Sequence, residues 1–371
     1  MSNPTHASYK LPAEAYFDQA WLDEEQRKIF GRSWLFAGAA SELPDPGCYK
    51  TVRVGFDELI VIRDQAGELN AYHNTCRHRG AQLLSGEGQC GSIVCPYHKW
   101  GWGLDGKLRG VPQREQFGDD LIPEELGLHR ASVTCWMGLM FVHADETPDV
   151  DFEQWSSGLA EELAVFEADK LDLLKQYSFT FDANWKLYVE NHIDWLHLWY
   201  VHPKTLGQLD HSQGQIMQFG SSFCSYDPAE SDNEAEAGGP KPLADIPHVV
   251  AADKRFADIG AHFLFPNLPI VTSSSFFMLA DLLPLSPERT QMNISFFGMP
   301  GGDVEATIEA FNYVTKEEDA VIITRIQQVL RSSRFAVGPI AHTYENAISC
   351  FHDHYLSLMD GPANALRVDG Q

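Results

Sequence analysis

A chain of 371 residues with 44% hydrophobic side chains is long enough to bury a large core and to divide into two or three domains. Its formal net charge of −25 argues against nucleic acid or an anionic membrane as partner. No segment approaches the ~20 apolar residues of a membrane span, and Met1–Lys10 lacks the basic-then-apolar order of a secretory leader. The expectation is a soluble cytoplasmic protein.

From about Pro12 to Trp34, apolar residues recur at three and four, with acids early and Arg and Lys late, which predicts helix. Between Gly47 and His143, short runs such as YKTVRV, ELIVIRD and GLMFVHA sit between Gly, Pro and Asp turns. That pattern predicts an antiparallel β region, with hairpins at Asp64–Gly67 and Asp105–Gly106. Residues 148–176 again read as helix. Residues 226–245 are acidic, rich in Gly and Pro and poor in large apolar side chains, which predicts a mobile surface loop and a candidate lid. Further strands follow. Helices are expected from about Val304 to Arg331 and from Tyr344 to Leu358. The order is helix, β module, then a mixed α+β region: a small domain inserted near the front of a larger one.

Seven cysteines without a leader do not suggest a disulfide framework. Cys48, Cys135, Cys224 and Cys350 stand alone and read as small core residues. Cys90 lies near the next motif at a spacing that fits no ligand slot. Cys76-x-His78 and Cys95-x-x-His98 form two arms sixteen residues apart. Thiolate and imidazole together suit zinc or an iron–sulfur cluster. Zinc fingers usually group the two Cys and the two His separately, whereas here each arm carries one of each.

The segment NWKLYVENHIDWLHLWYVHP, Asn184 to Pro203, has no Gly or Pro before its last residue and reads as one helix. Glu190, Asp194 and His197 are spaced four and three apart and share a face. His202 follows five residues after His197, a divergence of ~140° on an ideal helix. For both histidines to meet one metal the helix must distort there, by a π-type bulge or a broken turn. Two His and one carboxylate with open positions is the set that binds Fe(II) for O2 chemistry. His192 lies off that face and reads as structural.

NTCRHRGAQL and CPYHKWGWGLDGKL closely resemble the two cluster loops of Rieske-type non-haem iron oxygenases, catalytic (alpha) subunit. Glu190, Asp194, His197 and His202 match that family's signature (Asp/Glu)-x3-Asp-x2-His-x4-His. The resemblance covers nearly the whole chain. It implies an α+β fold: N-terminal helices over residues 1–37, an all-β Rieske [2Fe–2S] domain over 38–148, and over 149–371 a helix-grip catalytic domain with a central antiparallel sheet. It implies Cys76 and Cys95 on one iron of the cluster and His78 and His98 on the other, with Trp100 and Tyr97 packed beside it. His197 and His202 would hold the mononuclear Fe(II). KEEDAVIITRIQQVL resembles the family's late helix, where an acidic ligand precedes a Gln by about two turns. Asp319 fits best, with Gln327 eight residues on, and Glu318 is its nearest rival. Asp194 matches the carboxylate that bridges two subunits, contacting His197 on one side and the neighbour's His98 on the other.

The implied reaction uses O2 and electrons from NAD(P)H delivered by a separate reductase or ferredoxin, because the chain has no Rossmann or flavin fingerprint. The implied assembly is a homotrimer or hexamer. ENHIDWLHLWYVHP and NAISCFHDHYLSLM look most like the branch of choline, carnitine and glycine betaine oxygenases. Trp195, Trp199 and Tyr200 are cage candidates for a quaternary ammonium group, or plain core. An aromatic-ring-hydroxylating dioxygenase alpha subunit is the alternative. A Rieske electron carrier or a zinc protein is the reading from another class.

Overall fold

The computed structural model describes residues 9–208, 211–227, 246, 249, 259–301 and 305–360. The acidic segment expected to be a mobile loop lies, from residue 228 on, outside the described residues. The chain divides into two compact units: Glu25–Trp155, and a second made of the residues up to Glu24 together with those from Ser156 onward. One unit is thus inserted in the sequence of the other. Among the described residues no helix is long and apolar enough to cross a membrane.

The Glu25–Trp155 unit is all-β apart from short helical turns. Its strands are β1 (Leu35–Ala39), β2 (Cys48–Val54), β3 (Asp57–Arg63), β4 (Leu69–His73), β5 (Glu87–Gln89), β6 (Ile93–Val94), β7 (Gly101–Trp102), β8 (Leu108–Gly110), β9 (Arg130–Trp136) and β10 (Leu139–His143). Seven form one sheet in the order β1-β10-β9-β4-β3-β2-β5, and β6-β7-β8 form a small second sheet. Both expected hairpins form. Gly67 closes the β3–β4 turn at φ +89°. Gly106, at φ +77° in the turn between β7 and β8, packs so close to Tyr72 that a Cβ would stand 2.4 Å from the ring.

The other unit is built on an antiparallel sheet in the order β11-β17-β16-β15-β14-β13-β12. Its strands are β11 (Asp172–Phe181), β12 (Gln215–Phe219), β13 (Ser222–Tyr226), β14 (Gly260–Leu264), β15 (Leu268–Thr272), β16 (Phe277–Ser286) and β17 (Arg289–Gly298). Helix over 148–176 was too long an expectation. The helical part is limited to the short helices Phe152–Ser156 and Leu159–Leu163 and two 3-10 turns up to Lys170, and β11 begins at Asp172, where Leu173 and Lys175 to Gln176 pair with β17. The N-terminal helix is likewise cut into Ala13–Tyr16, Gln19–Lys28 and Phe30–Arg32. Asp18 ends the first piece by accepting the Ala20 N–H at 2.7 Å.

Three helices dominate the sheet's other layer: α1 (Trp185–Ile193), α2 (Ala320–Val329) and α3 (Asn346–Met359). α1 packs on β14 and β16 and against the other two. Asn184 caps α1, its side chain accepting from Lys186 N. Gln327 of α2 accepts the Asn184 N–H at 2.9 Å and donates to the Tyr16 carbonyl at 3.1 Å. The N-terminal segment, α1 and α2 are therefore stapled together at one buried amide. Tyr9, Tyr16 and His352 surround the buried Glu190 carboxylate on α1.

Candidate metal centres

In the all-β unit, Cys76 and Cys95 head two loops closed in the same way. Gly80 N–H donates to the Cys76 carbonyl at 2.9 Å, and Lys99 N–H to the Cys95 carbonyl at 3.1 Å. Both closing residues are left-handed, Gly80 at φ +71° and Lys99 at φ +59°. Both cysteines are buried, and their thiols interact with one another. Burial pushes the Cys76 thiol up. Burial acts the same way on Cys95, but backbone N–H groups of Tyr97 and His98 outweigh it and hold that thiol low.

The two loop histidines meet, His78 and His98 having ring centroids 4.7 Å apart. His78 stacks on buried Trp100 at 4.7 Å with the planes only 4° apart. His78 Nδ1 is buried and has no hydrogen-bond partner among the described residues. Tyr97, by contrast, is 57% exposed and lies over His98 at 3.8 Å, with the Arg79 guanidinium above it. Adjoining sulfurs bonded to N–H groups, two converging imidazoles and one orphaned ring nitrogen fit a cluster with mixed Cys and His ligands. Of the four lone cysteines, Cys224 alone is buried. Cys48 and Cys350 are half-buried and Cys135 is exposed, so three of the four are not core residues.

In the other unit the expected single helix from Asn184 to Pro203 breaks after Ile193. Asp194 turns to an extended backbone, φ −81° and ψ 113°, and its carboxylate accepts the Leu196 N–H at 2.7 Å and the His197 N–H at 3.3 Å. A short turn of helix, Leu198–Val201, follows and ends at His202. The turn ends at His202 itself, φ −111° and ψ 50°, which is the broken last turn anticipated, and there the helical divergence of the two histidines is lost. Their rings come to 5.0 Å. A π-helix does occur, but on the partner element. Tyr313–Asp319 is π-helical between Glu305–Asn312 and α2, and Asp319 is its last residue.

His197, His202 and Asp319 converge, with one donor atom from each lying within 4.8 Å of the others. Asp319 Oδ1 is 3.6 Å from His197 Nε2 and 3.2 Å from His202 Nε2. His202 Nε2 is buried and makes no hydrogen bond of proper geometry among the described residues. Its other nitrogen, Nδ1, bonds Glu318 Oε2 at 2.9 Å, and Thr205 Oγ1 donates to the same oxygen at 2.6 Å. His197 Nδ1 donates to the Asp194 main-chain carbonyl, while the Asp194 carboxylate stands 3.9 Å away. Burial pushes Asp319 up, but the two imidazoles outweigh it and hold its carboxyl well below the ordinary range. Burial lowers His202, and the carboxylates of Asp319 and Glu318 outweigh that and raise it. Burial pushes Asp194 up to about 6, against the pull of His197. An ionised buried carboxylate facing two imidazole nitrogens, one of them orphaned, fits a small divalent cation.

Asn191 was not singled out by sequence reasoning, although it directly follows Glu190. Its Nδ2 donates to Asp319 Oδ1 at 3.0 Å and lies 3.5 Å from His197 Nε2. His192 points away and bonds the His262 carbonyl at 2.8 Å, consistent with a structural role. The three aromatics considered for a cation cage separate. Tyr200 is 76% exposed, while Trp195 and Trp199 pack around His211.

An all-β unit with paired Cys/His loops and an α+β unit with two histidines facing a carboxylate define a two-centre iron oxidoreductase. The chain belongs to the ring-hydroxylating alpha subunit (catalytic domain) family, which matches residues 160–361, and the Rieske [2Fe-2S] domain matches residues 33–135. It is an oxidoreductase of Rieske type with a [2Fe–2S] domain and a non-haem iron catalytic domain. It is 28% identical to the glycine betaine monooxygenase oxygenase subunit of Chromohalobacter salexigens, over 99% of this chain and 91% of that protein. The fold is similar to that of the quaternary ammonium Rieske monooxygenase CntA in complex with L-carnitine, at TM-score 0.77 and 22% identity over 96% and 97% of the two chains. Naphthalene 1,2-dioxygenase from Rhodococcus sp. is similar at TM-score 0.74 and 22% identity, over 94% of each chain.

Proposed function

We propose that this protein is the oxygenase component of a two-part monooxygenase acting on a quaternary ammonium compound. The observation that carries the reading is the convergence of His197, His202 and Asp319, with His202 Nε2 buried and unbonded. In this reading His197, His202 and Asp319 hold the mononuclear iron, and Cys76, Cys95, His78 and His98 hold the cluster. We assign the cluster domain to 38–148 and the iron domain to 149–371; of the N-terminal segment, residues 9–24 belong with the latter, while the compact β unit already begins at Glu25. Bound Fe(II) supplies a site for O2 activation beside the substrate.

The chain's own groups set up that site. Glu318 fixes the His202 imidazole through Nδ1 and so presents Nε2 to the metal. The Asp194 carbonyl does the same for His197. Asn191 donates to Asp319 and holds the orientation of that carboxylate. Electrons from NAD(P)H arrive through a separate reductase. In a homotrimer or hexamer, Asp194 would face His98 of the neighbouring subunit and so link the residues that would hold the iron in one subunit to those that would hold the cluster in the next. A solved quaternary ammonium Rieske monooxygenase of similar fold is described in terms of inter-subunit electron transfer, which supports that route.

The substrate class rests on the relatives that act on glycine betaine and carnitine. Insertion of one oxygen atom into an N-methyl C–H bond consumes O2, two electrons and two protons and releases water. The resulting N-hydroxymethyl group collapses to formaldehyde and the demethylated amine. The test is oxygen uptake with a reductase present, comparing quaternary amines with aromatic acids. Formaldehyde release matched to uptake with a quaternary amine is expected. Uptake and diol formation with aromatic acids alone would overturn the substrate assignment.

A further inference from the structure

His211 and Asp227 form a buried pair that the oxygenase chemistry does not use. Their side chains are almost fully enclosed, His211 1% and Asp227 5% exposed. His211 Nδ1 lies 2.5 Å from Asp227 Oδ2, and its Nε2 lies 2.8 Å from the Leu206 carbonyl. Both ring nitrogens sit at hydrogen-bond distance from an oxygen, so the ring is held at both ends. Trp195 and Trp199 meet this ring nearly perpendicularly at 5.8 and 5.5 Å, and Tyr344 lies edge-on to Trp199 at 5.2 Å. The space between Trp195 and Trp199 is therefore filled by the chain's own imidazole.

The Leu206 carbonyl belongs to the turn that follows His202. In that turn Thr205 N–H and Gly207 N–H both donate to the His202 carbonyl, at 3.1 and 2.8 Å. A Cβ on Gly207 would stand 2.7 Å from that same oxygen, and one on Gly214 would stand 2.5 Å from the Trp195 ring. The backbone on both sides of His211 is thus pressed against the segment that presents His197 and His202. Through Asp227, at the end of β13, this segment is tied to the sheet.

We infer that His211 and Asp227 are a positioning pair, which locks the turn after His202 and with it the direction in which that imidazole faces the iron. The inference rests on His202 being an iron ligand. Neither residue touches the metal, so each acts through the backbone at Leu206.

The experiment uses the full-length protein loaded with cluster and Fe(II). It measures Fe(II) release to a coloured chelator and the electron paramagnetic resonance signal of the nitric oxide adduct of the mononuclear iron. His211→Leu removes both hydrogen bonds. It is expected to release iron roughly 10- to 100-fold faster and to change the shape of the nitrosyl signal, with the visible spectrum of the cluster unchanged. Asp227→Asn keeps an acceptor without the charge, so a smaller change in the same direction is expected. Parental release rates and an unaltered nitrosyl signal in both variants would overturn the inference. Should His211→Leu fail to fold, Asp227→Asn decides alone. His202→Ala serves as the control. Loss of iron there, with parental behaviour at 211 and 227, refutes the pair but spares the ligand assignment. Retention of iron in His202→Ala refutes both.

Discussion

Glu318 and Asp319 are consecutive residues that take opposite sides of one imidazole. Asp319 Oδ1 stands 3.2 Å from His202 Nε2, and Glu318 Oε2 stands 2.9 Å from His202 Nδ1. They reach both nitrogens because the helix that carries them is π-wound up to Asp319. In the proposed assignment the two carboxylates therefore have different tasks, Asp319 toward the metal and Glu318 behind the ligand. Asp319→Asn is expected to lose the mononuclear iron while keeping the cluster. Glu318→Gln is expected to keep it with affinity weakened roughly 10- to 100-fold. Iron content and chelator competition check this, and the reverse pattern would exchange the two roles.

Asp194 offers a clean substitution. Its Oδ1 already accepts the Leu196 and His197 N–H groups, and an asparagine oxygen can do the same. Asp194→Asn should thus leave the broken turn, the cluster spectrum and the iron content intact. Turnover should disappear, because the carboxylate proposed to bridge two subunits is gone. Stopped-flow reoxidation of the reduced cluster in the presence of substrate and O2 separates the steps. Parental turnover in this variant would remove Asp194 from the electron route.

The parts legible from sequence were those whose chemistry is encoded in short spacing. Two Cys/His arms and a His-x4-His pair are local patterns; the first brings two thiols together and two imidazoles together, and the second meets Asp319. What was not legible depends on competition between local and distant contacts. The helix from Asn184 should have continued by propensity, but the Asp194 carboxylate captures two N–H groups and stops it. Helix over 148–176 was anticipated from acidic and apolar spacing, yet pairing with β17 claims Asp172 onward. Asp319 was preferred to Glu318 and is the carboxylate that meets the two histidines, whereas the place of Glu318 behind His202 depends on the π winding, which has no sequence signature. His211 and Asp227 each stand alone in the sequence, sixteen residues apart, and only β13 brings them together. Trp195 and Trp199 had cage-like spacing, and their occupant turned out to be internal.

In the cluster domain, His78 is the ligand candidate best isolated from other tasks, since its Nδ1 bonds nothing among the described residues and its ring is held flat on Trp100. His78→Cys replaces a neutral imidazole with a thiolate. The added negative charge should lower the reduction potential by on the order of 100 mV or more and move the visible spectrum toward that of an all-thiolate cluster. Reduction of the cluster by the reductase should become less favourable accordingly. An unchanged potential and spectrum would mean His78 is not a ligand.

Acid stability reports on the two histidines buried behind the iron site. Burial holds His192 down to about 4 and His262 down to about 3. Both are neutral in the folded chain, His192 bonded to the His262 carbonyl and His262 to Thr272 Oγ1 at 2.7 Å. The unfolded chain binds a proton on each below its ordinary value of 6.5. Between that value and the folded values the unfolded state holds more protons, so stability is full above it and is lost as pH falls. Each histidine contributes a slope approaching about 1.4 kcal/mol per pH unit within its window. His192→Gln keeps a donor for the His262 carbonyl and removes one titration. Its urea midpoint should therefore fall less steeply than the parent's between pH 6.5 and about 4. Parallel curves for parent and variant would show that His192 carries no linked proton.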